Sequence, residues 1–92
     1  MIIRIMSEGQ FVVDEALVAE LNALDDQLEE CFEKDDETAF ERVRDAMLTL
    51  VRARGKPLDV ADLSPSDVVL PPQDATIEEV RALLGEKGLV PG

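Results

Sequence analysis

Between Asp14 and Arg54 apolar residues return every third or fourth position, the spacing that lines up one face of an α-helix. Leu17, Leu21, Leu24, Leu28 and then Cys31 or Phe32 form a first stripe, widened by Ala16, Val18, Ala19 and Ala23. Glu20, Asp25, Asp26, Glu29, Glu30 and Glu33 are assigned to the opposite, polar face. A second stripe comprises Ala39, Phe40, Val43, Met47, Leu50 and Val51, with Ala46 beside it. One uninterrupted helix of this length would be unusual in a small domain, so a break is expected at Lys34-Asp35-Asp36-Glu37. The pattern predicts a first helix over 14–34, opened by Asp14 as N-cap. A second helix over 36–54 is capped by Asp35 or Asp36 and stopped at Gly55. A short turn makes the two antiparallel neighbours whose oily sides meet.

The flanks follow other periods. Residues 1–13 read as a β-hairpin, with Ile3 and Ile5 on one face and Ile2 and Arg4 on the other. The hairpin turns at Ser7-Glu8-Gly9, where Gly9 can take a positive φ. A two-stranded ribbon is barely stable alone in water, so it must pack on the helices or gain a strand from the C-terminal half. Residues 55–75 read as mostly extended segments and turns, with a helical turn over Asp59–Leu63 and a turn signal at Ser64-Pro65-Ser66-Asp67. Val68–Leu70 is long enough for a short edge strand and equally suits an extended strap. A third helix over 76–85 begins at Thr76 with Glu79 three residues on, the pattern of a capping box. It buries Ile77, Val80, Leu83 and Leu84 and ends at Gly85 or Gly88. Residues 86–92 form a tail in which Leu89 and Val90 can dock. The expected architecture is therefore a single α+β domain: an antiparallel two-helix hairpin and a short third helix, packed with an N-terminal β-hairpin or small mixed sheet.

Charge narrows the function classes. The formal net charge is -12. From Asp14 to Glu41 twelve acidic residues face one basic residue, whereas Arg42 to Lys56 holds five basic and one acidic. Phosphate contacts require Lys and Arg, so nucleic-acid binding is disfavoured, as is direct adsorption to an anionic membrane. No apolar run is long enough to span a bilayer and the N-terminus lacks the form of a signal peptide, which points to a cytoplasmic protein. Some acidic residues are expected to meet Arg42, Arg44, Arg52 or Arg54 across the hairpin. Exposed pairs of that kind contribute only about 0.2–1 kcal/mol each, so the apolar seam must hold the hairpin together.

Catalytic chemistry finds little footing. There is one cysteine and no histidine. Cys31 therefore lacks a base to activate it, and acidic neighbours should raise its pKa. Carboxylate pairs such as Asp25 with Glu29 lie on adjacent turns of one helix, not across a cleft. The acidic turn offers hard oxygen ligands but not the spacing or central glycine of a calcium loop, and a closed zinc site lacks its ligands. No catalytic residue, metal site or cofactor is expected. The acidic run reads either as a solvated helix face or as a contact surface for a basic or mixed-charge helix.

Several segments together resemble the PspA-associated (PspAA) family of the phage-shock, membrane-stress system. They are Met1-Ile2-Ile3-Arg4-Ile5 with Gly9-Gln10-Phe11, the acidic hairpin, and Pro65-Ser66-Asp67-Val68-Val69-Leu70-Pro71-Pro72. Asp74-Ala75-Thr76 with Glu78-Glu79-Val80 and Leu83-Leu84 follows, and then Gly88-Leu89-Val90-Pro91-Gly92. The resemblance covers nearly the whole chain and implies a non-enzymatic cytoplasmic adaptor for PspA, a coiled-coil protein that remodels membranes. Any membrane proximity would come through that partner. A helix laid against the hairpin is the expected mode of contact. The expected contact region is Asp25 to Glu37 together with Arg42, Arg44, Arg52 and Arg54, and the residues singled out in it are Glu29, Glu30, Glu33, Asp36, Arg42, Arg44 and Arg52. The Ser66–Leu70 strap, with Ser66 and Val69, is the second candidate. The alternatives are a self-associating homodimer with no PspA contact and a winged-helix-like transcriptional regulator.

Overall fold

The computed structural model describes residues 1–59, 61, 62 and 64–84, with the side chains of residues 83 and 84 excepted. Seven elements follow in order: β1 (Ile2–Ile5), β2 (Gly9–Val12), α1 (Glu15–Lys34), α2 (Glu37–Arg54), β3 (Lys56–Pro57), β4 (Val68–Leu70) and α3 (Ile77–Leu84). The result is an α+β fold in which two long helices and a short third one accompany a four-stranded mixed sheet of order β3-β2-β1-β4.

The break in the long helical stretch is built from two aspartates. Asp35 takes the left-handed conformation (φ 52°) that closes α1, and Asp36 is the N-cap of α2. The Oδ1 of Asp36 accepts the Ala39 N–H at 3.1 Å, as Asp14 Oδ1 accepts the Leu17 N–H at 2.8 Å. Each cap satisfies one of the backbone donors that a helix start leaves without an intrahelical partner. Leu17, Leu21, Leu28 and Cys31 of α1 and Phe40, Val43, Met47 and Val51 of α2 are buried, as the stripes require.

Several positions in the helices depart from the expected pattern: Leu24 is only half-buried, and Ala16, Ala19 and Ala23, expected to widen the first stripe, are exposed. Asp25, assigned to the polar face, is only 5 % exposed. It stands four residues after Leu21 and three before Leu28, so geometry places it in the core row whatever its charge. Leu48, left out of the expected stripe, is buried, whereas Leu50 is half-buried and Ala46 exposed. The reason is that α2 has two neighbours. Val43 and Met47 belong to the stripe expected from the hairpin, and Leu48 borders Leu70 and Pro71 beyond it. A stripe drawn for a single neighbour is too narrow.

Ile3 and Ile5 share the buried face of β1, while Arg4 is exposed on the other. Gly9 adopts φ +128°, as the turn requires, and Ser7 before it also has a positive φ of 76°. The C-terminal half completes the sheet on both sides. Val68–Leu70 is a strand, pairing parallel with β1 in the register Ile3↔Val68 and Ile5↔Leu70. The Asp67 side chain accepts the Ile2 N–H at 2.7 Å, while the Asp67 N–H donates to the Ile2 carbonyl at 2.8 Å. At the opposite edge, Lys56-Pro57 pairs antiparallel with Phe11 and Val12. This strand is an element that the expected run of mostly extended segments and turns after α2 did not name. Proline is tolerated there because an edge strand has one side free of ladder bonds.

Gly55 ends α2 as expected, but not through a left-handed cap. Its φ and ψ are -74° and 153°, and its N–H still donates to the Val51 carbonyl at 2.8 Å. Glycine is needed for proximity: a Cβ there would lie 2.5 Å from the Val51 carbonyl oxygen and 3.1 Å from Phe11 Cβ.

Thr76 behaves as the cap of α3, its Oγ1 accepting the Glu79 N–H at 3.1 Å. Ile77 and Val80 are buried. In the connection, the Asp62 N–H donates to the Asp59 carbonyl at 2.9 Å. Val60 and Leu63 of the expected helical turn, the side chains of Leu83 and Leu84, the stop at Gly85 or Gly88 and the tail over 86–92 lie outside the described residues.

Candidate protein-binding site

The tip of the helical hairpin is supported from one side and open on the other. On the supported side Phe32 and Phe40 pack with ring centroids 6.0 Å apart. Arg81 of α3 lies over the Phe32 ring at 5.6 Å and donates to the Phe32 carbonyl at 2.8 Å. It also pairs with Asp35 at 3.5 Å, so α3 braces the turn itself.

On the open side lies a groove of about 240 Å³ between the two helices. Gln27, Glu30, Cys31 and Lys34 line it from α1, and Asp36, Ala39, Arg42 and Val43 from the turn and α2. Spacings of three and four bring each set to one side of its helix. Burial pushes the Cys31 thiol pKa up, and Asp36 and Glu30 push it further against the opposing pull of Arg42 and Lys34. The thiol is thus neutral at physiological pH and contributes an apolar floor together with Ala39 and Val43.

The expected contact residues divide among several places. Glu30, Asp36 and Arg42 meet in the groove. Glu29 and Glu33 are exposed, but the 3.6-residue turn carries them to the side of α1 away from it. Arg44 points inward. Its side chain is 11 % exposed, donates to the Ala75 carbonyl at 2.6 Å and pairs with the adjacent Asp45 at 3.0 Å. It also lies over the Phe40 ring at 5.8 Å. Its service is to fasten the approach to α3 onto α2, not to meet an acid across the hairpin.

Arg52 reaches the β1–β2 turn, its Nε donating to Glu8 Oε1 at 2.7 Å and its Nη2 to the other carboxylate oxygen. The hydrogen bonds from Arg52, opposed by burial and helped by its charge, hold the Glu8 carboxyl below its ordinary pKa. Arg44 and Arg52 both border an open hollow of about 660 Å³ beside Met6, Gln73 and Asp74. Arg54 is the arginine that spans the hairpin, pairing with Glu20 of α1.

The second candidate region lies on the sheet. Ser66 Oγ accepts from Arg4 Nε at 3.4 Å, and Val69 is 46 % exposed, beside Arg4 in the ladder and away from the core. The structure does not bring these residues together with the hairpin tip. Gln27, Lys34, Ala39 and Val43 line the groove without having been named as contact residues: Gln27 and Lys34 fall inside the expected Asp25–Glu37 region, and Ala39 and Val43 belong to the stripe predicted for α2.

Among the described residues no group of three or more potential metal ligands is assembled, and no described helix is long and apolar enough to cross a membrane. The molecule is thus defined by its architecture, a helical hairpin braced by a third helix and a mixed sheet, and by the charged groove at the hairpin tip. The family model described as PspA-Associated protein (PspAA) matches residues 1–92, and the chain belongs to that family. No curated protein and no solved structure matches it.

Proposed function

We propose that this protein is a single-domain, non-enzymatic adaptor of the phage-shock system that binds a PspA-like coiled-coil protein. Membership of the PspA-associated family over all 92 residues carries the proposal. In this reading the protein works in the cytoplasm and reaches the membrane only through its partner. The contact region is the acidic hairpin tip, where Glu30, Asp36 and Arg42 line the groove and Glu29 and Glu33 add negative charge on the outer side of α1; Ser66 and Val69, on the sheet, lie outside this region. Arg44, Arg52 and Arg54 are engaged internally, by the Ala75 carbonyl, Glu8 and Glu20 respectively, and stabilise the platform. With three of the four arginines of α2 so engaged and only Arg42 left over, a DNA-reading role for α2 is disfavoured, since a recognition helix presents several free cations to phosphates and bases.

The test is co-purification with the PspA-like protein encoded in the same genome, alongside sedimentation of the pure chain. Capture is expected, and simultaneous reversal of Glu29, Glu30 and Glu33 to Lys should weaken it while far-UV circular dichroism stays unchanged. A folded chain that captures no PspA-like protein and sediments as a stable dimer would overturn the proposal in favour of a self-associating subunit.

A further inference from the structure

The described cations of the molecule divide sharply. Arg44, Arg52, Arg54 and Arg81 each form an ion pair, and Arg4 donates to Ser66. Lys34, Arg42 and Lys56 form none among the described residues. Two of those three, Lys34 and Arg42, line the same groove, with Glu30 and Asp36 beside them and an apolar floor below. Charges left unpaired within reach of each other around an apolar floor are suited to meet opposite charges carried in by another molecule.

The surroundings decide what that molecule is. Residues 26–42 carry eight carboxylates and two cations. A second copy would bring the same excess of negative charge to the same place, and like-charge juxtaposition opposes that encounter. A segment with flanking lysines or arginines is drawn in. The groove is open along α1 from Gln27 to Lys34, about two helical turns, which matches side chains three or four residues apart on an incoming helix.

We infer that the groove between α1 and α2 at the hairpin tip is the docking site for one amphipathic helix of a partner protein. This inference rests on the PspA-binding function proposed above and specifies its surface. The helix seats small apolar side chains on Cys31, Ala39 and Val43. It offers Lys or Arg to Glu30 and Asp36, and a carboxylate to Lys34 and Arg42.

The experiment titrates the full chain with the PspA-like protein of the same genome at low and at moderate salt. Arg42→Glu reverses one contact and Gln27→Trp fills the groove; both positions are exposed, so thermal unfolding is measured in parallel to verify the fold. Each should weaken binding at least tenfold, while Val69→Glu on the sheet stays within twofold of the unchanged chain. As a readout independent of those variants, Gln27→Cys should be shielded from maleimide by the bound partner, and Val69→Cys should not. Binding by the unchanged chain with no effect of the groove variants and no shielding at Gln27 overturns the docking site and leaves the adaptor function standing. Loss of binding in Val69→Glu alone moves the site to the sheet and also overturns it. No binding by the unchanged chain overturns the function and the site together. A chain that dimerises at micromolar concentration and becomes monomeric as Arg42→Glu shows that a second copy occupies the groove, and likewise overturns the inference.

Discussion

Replacing Gly55 by alanine separates two explanations of this glycine that predict opposite signs. If its only service were to end α2, alanine should be welcome. The backbone there is at φ -74° and ψ 153°, an extended conformation open to any residue. Alanine would then narrow the unfolded ensemble and stabilise the protein by about 0.4–1 kcal/mol.

The structure instead places the added Cβ 2.5 Å from the Val51 carbonyl oxygen, the acceptor of the Gly55 N–H itself, and 3.1 Å from Phe11 Cβ. The nearer obstacle is backbone, which cannot swing aside as a side-chain tip can. Overpacking that forces backbone shifts costs about 1–3 kcal/mol. Set against the entropic gain, the expected outcome for Gly55→Ala is a net loss of about 1–2 kcal/mol. For a chain of this size each kcal/mol lowers the melting temperature by about 4–8 °C. Urea unfolding followed by far-UV circular dichroism should show a lower midpoint with an unchanged slope. A midpoint equal to or above that of the parent would refute the steric account, and with it the view that close passage of α2 past Phe11 holds β3 in the sheet.

Truncating Leu48 to Ala should cost about 2–5 kcal/mol in chemical denaturation, the range for a fully buried leucine, and clearly more than Leu50→Ala at its half-buried position. Equal losses would show that α2 has a single packed face. The Glu8–Arg52 pair sets a pH dependence: because the folded-state pKa of Glu8 is lowered, its contribution is present above the ordinary carboxylate value and disappears as pH falls through the folded value. Glu8→Gln should therefore be less stable than the parent near neutrality, by under about 1 kcal/mol for so accessible a pair, and the difference should close in acid. A difference that persists unchanged in strong acid, where the carboxyl is protonated in both states, would assign the effect to packing rather than charge.

The parts of the fold that were legible in the sequence are those in which one local rule acts alone. The Leu17–Leu21–Leu28 row, the two aspartates of the hairpin turn and the Thr76 cap each follow from spacing or from backbone donors needing an acceptor. The parts that were not legible depend on neighbours distant in sequence. Lys56-Pro57 is too short and too poor in β-forming residues to announce a strand, and becomes one because Gly55 lets the chain lie against Phe11. Leu48 is core because Leu70 and Pro71 wait on a second side of α2. Asp25 occupies the right row for burial, and its charge outweighed its spacing in the expectation.

The candidate site was legible as a stretch but not as a surface. Charge density marked residues 26–42, yet the assignment of Glu30 to the groove and of Glu29 and Glu33 to the far side depends on helical phase relative to α2. Arg44 and Arg42 are two residues apart and chemically alike. Only their rotation about the α2 axis separates a cation that fastens the approach to α3 from one left facing the groove.

The clasp between Ile2 and Asp67 joins residues 65 apart in sequence, and it has a bearing on how the protein is made. During synthesis the strand Ile2–Ile5 leaves the ribosome well before Val68–Leu70, and the side those residues later cover stays bare until they too have emerged. Until then it is an unguarded edge of the kind that recruits other strands. A message cut short before the codon for Asp67 would release a polypeptide whose ribbon is permanently uncapped, prone to clump rather than merely to be weak.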